Sequence, residues 1–374
     1  MRSGQLQAVF IGLWASTACS TPVKSTLADA SDADAGSPAP SDAGAGAVPD
    51  AGTSTSADAG SDAGTPPTVD DGGLYNYFPS GAPWTQDVSQ APLASNSSAI
   101  TQWLQSAGGW GLGHMQIDTS IDVLHADSSV VPQSFTPTSN FYTPDCDLVP
   151  VPVPPGGDVE GEPGYSCTGG GDCHLIVVQD STQKLFEMWT ADITDGVFTG
   201  GCLAVWDLRR VYPPSGRGEQ CTSADAAGFP IAPLLFTADE VVAGRINHAI
   251  RFILPNDRIQ NGYYVHPGSH STHSTSGGAD APPYGTHLRL RADFPLDTLP
   301  SDQARTVAIA MQRYGLFLAD GGNVALTAQS DNHTTAKWAN TLGSHDLEAI
   351  QVTDMEVIDP GTPIVYTGDC VRNP

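Results

Sequence analysis

From Ser20 to Gly73 the chain is built almost entirely of Ala, Asp, Gly, Ser, Thr and Pro, and this stretch decides where a fold can form. It holds no aromatic residue, and Asp-Ala-Gly recurs at Asp34, Asp42, Asp50, Asp58 and Asp62. Without large apolar side chains nothing offsets the entropy of ordering the backbone, and like charges push the segment outward. The expectation for 20–73 is a disordered tether whose role is reach. Folding is left to 74–374, which opens on Tyr75, Tyr77 and Phe78 and continues without a second low-complexity break, so one β-rich extracytoplasmic domain is expected there.

Ahead of the tether, the apolar run Ala8 to Ala15 follows Arg2, the layout of an export signal. The run is too short for a bilayer, which needs roughly 20 apolar residues. Ser16-Thr17-Ala18-Cys19 resembles a lipobox, with Ser16 where Leu is usual. Residues 1–19 are therefore read as a lipoprotein signal peptide with Cys19 acylated, and an ordinary signal peptide is the alternative. A lipid on Cys19 would be the sole membrane contact, at the outer membrane or cell surface.

The other six cysteines, Cys146, Cys167, Cys173, Cys202, Cys221 and Cys370, form an even set, as suits an oxidising compartment. Their spacing leaves many pairings open. The short loop Cys167–Cys173 is favoured first and Cys202–Cys221 second, whereas zinc would want paired Cys-x-x-Cys units that are missing. Net charge is −26; the tether carries nine Asp against Lys24 and Arg2 sits in the signal, so the folded part holds −19. Such a balance repels phosphate backbones and excludes nucleic acid as a partner.

Strand patterns dominate the folded region at His174 to Gln179, Lys184 to Ala191, Cys202 to Leu208, Asn247 to Leu254, Thr286 to Ala292 and Met355 to Ile358. Helical spacing occurs at Ser98 to Ser106, at Ser301 to Tyr314 with Ser301 as cap, and briefly at Asp239 to Arg245. Val149 to Gly157, alternating Val and Pro, suits an extended edge segment. The fold class expected is mainly β, a β-sandwich or jelly-roll-like body with a few helical insertions.

The loop Ser223-Ala224-Asp225-Ala226-Ala227-Gly228-Phe229-Pro230 surrounds one acid with small residues, which lets backbone approach something closely. Asp225 leads the candidates, and fixing its own turn is the plainer role. Glycoside hydrolysis needs two carboxylates, and Glu187, Asp207 and Glu240 are also available. Glu187 would share a strand face with Leu185 and Trp189, beside an indole that could raise its pKa, or face solvent. His248 and Arg251 open a strand. His266, His270 and His273 fall in a Gly- and Ser-rich loop where metal spacing, with Asp280 near, competes with histidines of no function; no metal and no cofactor are expected. Asp320 reads as a turn residue at Asp320-Gly321. His-Glu-x-x-His, Gly-x-Ser-x-Gly and P-loop patterns are missing.

These blocks together resemble an uncharacterised family of secreted bacterial proteins: Ala82 to Val88, His174 to Val178, Leu185 to Glu187, Trp206-Asp207-Leu208, Ser223 to Pro233, Asp239 to Arg251, and Tyr314 to Gly321. The resemblance implies export and carries no activity or catalytic residues. Here the segment after the tyrosine pair is altered to Val265-His266-Pro267-Gly268-Ser269-His270, and the cysteine pairs look like additions. The functional expectation is a monomeric, surface-tethered protein acting on extracellular polysaccharide, with Asp225 and Glu240 or Glu187 as a carboxylate pair. Trp189, Trp206, Asp207, His248, Arg251, Tyr264, His266 and Asp320 would contact the sugar. A lectin-like or adhesive module is the alternative.

Overall fold

The computed structural model describes residues 77–374; the expected signal peptide, Cys19 and the expected tether lie outside them. The fold is mainly β, with an α-helix at Ser97–Ser106 ahead of the strands and two more, Ala238–Val242 and Asp302–Arg313, inserted between them. Among the described residues no helix is long and apolar enough to cross a membrane. The main sheet runs in the order Ile117–Ile121, Leu326–Gln329, Ile250–Leu254, Leu316–Gly321, His287–Leu290, Met355–Val357. It is mixed: Ile117–Ile121 lies parallel to Leu326–Gln329 and Ile250–Leu254 parallel to Leu316–Gly321, while the other neighbours are antiparallel.

One register irregularity in this sheet positions the site described below. Phe252 pairs with Leu318, but Ile253 pairs with Asp320, so Ala319 is an extra residue in its strand. Such a bulge shifts the following side chain to the opposite face. It places Asp320 on the face that carries Arg251. The sequence reading of Asp320 as a turn residue thus differs from the structure, where the strand Leu316–Gly321 runs through it.

The helix Asp302–Arg313 starts where Ser301 Oγ accepts the Ala304 N–H at 3.1 Å. Ala304, Val307, Ala308 and Met311 recur at helical spacing and are buried in the main core. A second sheet, Leu124–Ala126, Leu175–Gln179, Lys184–Met188 and Leu203–Asp207, has a core on each face. Ile176, Val178, Leu185, Ala204 and Trp206 enter the main core, whereas Leu175, Val177, Phe186, Met188 and Leu203 form a smaller one. Burial on both sides explains why these strands read as nearly continuous apolar runs. It also fixes the fate of Glu187, which by alternation shares the main-core face with Leu185. In the Val149 to Gly157 stretch Val151 and Val153 are buried and Val151 bridges Gln133, as an extended segment would.

Disulfides join Cys146–Cys202, Cys167–Cys173 and Cys221–Cys370. The short pairing agrees with expectation; the pairing Cys202–Cys221 does not, and is corrected. The antiparallel ladder of Gly218–Glu219 with Val371–Arg372 carries Cys370 to Cys221, a contact between distant segments that spacing along the chain does not reveal. Three structural disulfides place the domain in an extracytoplasmic compartment.

Candidate ligand-binding cleft

A cleft of about 940 Å³ collects side chains from distant parts of the chain. Its floor is the segment Thr222 to Ala226, and Asp320 and Gly321 join from the main sheet. Asp172 and Trp189 come from the second sheet's side, and Tyr366 to Gly368 from near the C-terminus. Cys202 lines the cleft, Asp172 adjoins Cys173, Thr222 adjoins Cys221, and Gly368 lies two residues before Cys370, so every disulfide pins part of the wall.

At the floor one guanidinium serves two acids. Arg251 Nε donates to Asp225 Oδ1 at 3.0 Å, one terminal nitrogen donates to Asp320 Oδ2 at 3.0 Å, and the other to Thr327 Oγ1 at 2.9 Å. Burial pushes the Asp225 carboxyl well above the usual range; Arg251 opposes this and the Asp320 charge adds to it. Burial raises Asp320 too, again against Arg251. Two carboxyls sharing one cation, one of them fully covered, keep a proton between them more readily than either would alone. A carboxyl still protonated near neutral pH can donate a hydrogen bond or a proton.

The small residues of the floor loop have a structural reason. Ser223 Oγ accepts the Asp225 N–H at 3.0 Å and donates to the Phe229 carbonyl at 2.6 Å, closing the turn. Gly228 has φ of 83°, and a Cβ there would lie 2.2 Å from Ser269 Oγ. His174 clamps the loop from behind. Its Nε2 faces the Ala224 carbonyl at 3.0 Å and its Nδ1 faces Glu160 Oε2 at 2.6 Å, so both ring nitrogens meet acceptors, as an imidazolium requires. Burial, the largest single influence, favours the neutral ring, but the charge and the hydrogen bond of Glu160 together outweigh it and carry His174 up to about 9.

A raised folded-state pKa gives stability that is whole below the unfolded value near 6.5 and is lost as pH rises through about 9. The urea midpoint should therefore fall between pH 7 and pH 9.5, and a His174→Gln variant should show a flatter profile across that window. A wild-type midpoint that is constant or rises would contradict the imidazolium clamp.

Of the residues singled out in the sequence, Asp225, Asp320, Trp189, His270 and His273 line the cleft, and Arg251 ties the two acids together. Trp189 Nε1 donates to Asp172 Oδ1 at 3.0 Å. Glu187 is sealed between sheet and loop: Trp206 Nε1 and the Ile231 and Ala232 N–H groups donate to it at 3.0, 2.7 and 2.8 Å. Burial raises it to about 7, against those donors. It neither faces solvent nor reaches the cleft. Glu240 closes a capping box with Thr237 and lies 3.2 Å from His248 Nε2; both line a separate cavity of about 100 Å³. Trp206 is core, against Phe78 and Tyr212. Asp207 holds the surface side chain of Arg209 at 2.7 Å, and that contact pulls its carboxyl down to about 2. Tyr264 is buried and donates to Glu219, which His266 also meets at 3.2 Å.

The histidine loop divides: His266 lies at Glu219, whereas His270 and His273 both line the cleft and pack against the Tyr366 ring. His270 lies between the Ala226 carbonyl at 2.7 Å and the Tyr366 hydroxyl at 2.8 Å, inside the cleft wall, and burial lowers it to about 4. Asp145, Asp172, Tyr284 and Tyr366 line the cleft without having been singled out in the sequence. Only proximity to cysteines marks Asp145 and Asp172, and nothing local marks the tyrosines.

No family model, curated protein or solved structure matches this chain.

Proposed function

We propose that this chain is an exported lipoprotein, held through Cys19 at the outer membrane or cell surface, whose cleft binds extracellular polysaccharide. The observation that carries this reading is the make-up of the cleft: Asp145, Asp172 and Asp320 line it among the rings of Tyr142, Trp189 and Tyr366, above the covered Asp225 carboxyl that Arg251 ties to Asp320. Sugars present apolar faces to rings and hydroxyls to carboxylates, so this mixture suits a neutral or amino polysaccharide and disfavours an anionic one. The resemblance to secreted bacterial proteins and the tether agree with a surface role.

A second reading, glycoside hydrolysis, is favoured by the raised pKa of Asp225 beside Asp320. It would use Asp320, the one of the two acids that is not fully covered, as proton donor rather than Glu240 or Glu187, with Asp225 holding it in place through Arg251. A screen of neutral and amino polysaccharides with the full chain distinguishes the readings by scoring retention and new reducing ends together. Binding alone gives retention that a Trp189→Ala substitution weakens about tenfold, the scale of one lost aromatic contact. Hydrolysis adds reducing ends that disappear in Asp225→Asn and Asp320→Asn. Retention of no polysaccharide would remove both readings.

A further inference from the structure

Away from the cleft, three chain segments bring Asp122, Asp158 and His333 together, with one potential ligand atom from each lying within 4.8 Å of the others. Asp122 directly follows the strand Ile117–Ile121 at the edge of the main sheet, Asp158 lies in the loop after the Val-Pro stretch, and His333 follows the strand Leu326–Gln329. Asp122 is only 4% exposed, and its Oδ1 is buried with no hydrogen-bond partner. That atom points toward His333, whose Nε2 is 3.9 Å away. A buried carboxylate oxygen left without a donor is costly, and a proton or a bound cation relieves that cost.

The surroundings do not otherwise supply one. Among the described residues neither carboxylate pairs with Lys or Arg; the ion-pair contact each makes is to His333, at 3.9 Å for Asp122 and 3.4 Å for Asp158. Asn332 Nδ2 reaches Asp122 Oδ2 and Asp158 Oδ2, both at 3.4 Å, which is long for an amide donor. These spacings suit ligands around a metal better than direct hydrogen bonds. Oxygen and nitrogen ligands at about 2.1 Å from a tetrahedral ion stand about 3.4 Å from each other.

We propose that Asp122, Asp158 and His333 form a binding site for one divalent transition-metal cation, zinc or manganese. Two carboxylates and one imidazole are a mixed oxygen and nitrogen set that these ions accept, whereas an all-oxygen shell would point to calcium or magnesium. The two negative charges balance the ion's charge. His333 is about one-third exposed, which leaves the remaining coordination positions open to water. The ion would join the main-sheet edge at Asp122 to the loop at Asp158. This inference is independent of the polysaccharide reading, since none of the three residues lines the cleft.

The test uses the full chain, stripped with chelator and then dialysed against zinc chloride or manganese chloride. Metal content is read by mass spectrometry and affinity by calorimetry. One equivalent of zinc or manganese is expected for wild type. His333→Ala, on the exposed side and checked for an unchanged circular dichroism spectrum, should weaken binding at least tenfold, and Asp122→Asn should do the same. Less than a tenth of an equivalent in wild type would overturn the proposal. So would full stoichiometry and unchanged affinity in His333→Ala, whether or not Asp122→Asn folds.

Discussion

Replacing Arg251 with Ala should lower the unfolding free energy by on the order of 3–5 kcal/mol, the scale seen when one member of a buried ion pair is removed. Its side chain is 5% exposed and that of Asp225 is fully covered, so the substitution leaves two acids facing each other without a cation. The loss should shrink toward pH 5, where the acids can take up protons instead, because their folded-state pKa values already lie high. A matched control is Arg209→Ala, which breaks the solvent-exposed pair with Asp207. That pair lies in solvent and should contribute far less. Urea denaturation of both variants at pH 5 and pH 7.5 measures the contrast. Equal and small losses would show that Arg251 does not hold the cleft floor together.

The second large effect concerns the disulfide Cys221–Cys370, which closes a sequence separation of 149. On a chain-entropy basis, a Cys221→Ser/Cys370→Ser double variant should lose about 5 kcal/mol, against about 2 kcal/mol for the corresponding change at Cys167 and Cys173, six residues apart. The longer loop leaves the unfolded chain more freedom once it is cut. A further consequence is local, because the segment from Tyr366 to Gly368 forms part of the cleft wall and is tied down beside Cys370. The double variant should therefore lose polysaccharide retention at temperatures where it is still folded. Thermal unfolding and retention measured on the same samples test both points. A variant as stable as the Cys167 and Cys173 variant would contradict the ordering.

The elements of the fold were legible where periodicity is strong. Ser301 and the apolar positions after it mark a capped helix, and alternation or continuous β-branched runs mark the strands flanking Glu187 and Trp206. What a single strand cannot reveal is what covers its faces. Glu187 shares a face with Leu185, as its spacing says, but that face meets the main core rather than a cleft. The mixed order of the main sheet and the bulge at Ala319 follow from pairings between distant segments, and the bulge is what brings Asp320 to Arg251. Asp225 was legible because small residues around one acid are unusual. Its pairing was not, since Arg251 lies 26 residues from Asp225 and 69 from Asp320 in the chain. Tyr366 reaches the cleft through a segment pinned by Cys370, and that pairing is likewise hidden from local sequence.

The central claim is that the acids and rings gathered around Asp225 form the surface that meets polysaccharide. Hydrogen–deuterium exchange of the full chain, with and without a polysaccharide that it retains, tests this most directly. Slower exchange should be confined to Thr222 to Ala226, the neighbourhood of Trp189, His270 to Ser274, and Tyr366 to Gly368. Protection elsewhere, with these four segments exchanging as fast as in the free chain, would contradict it.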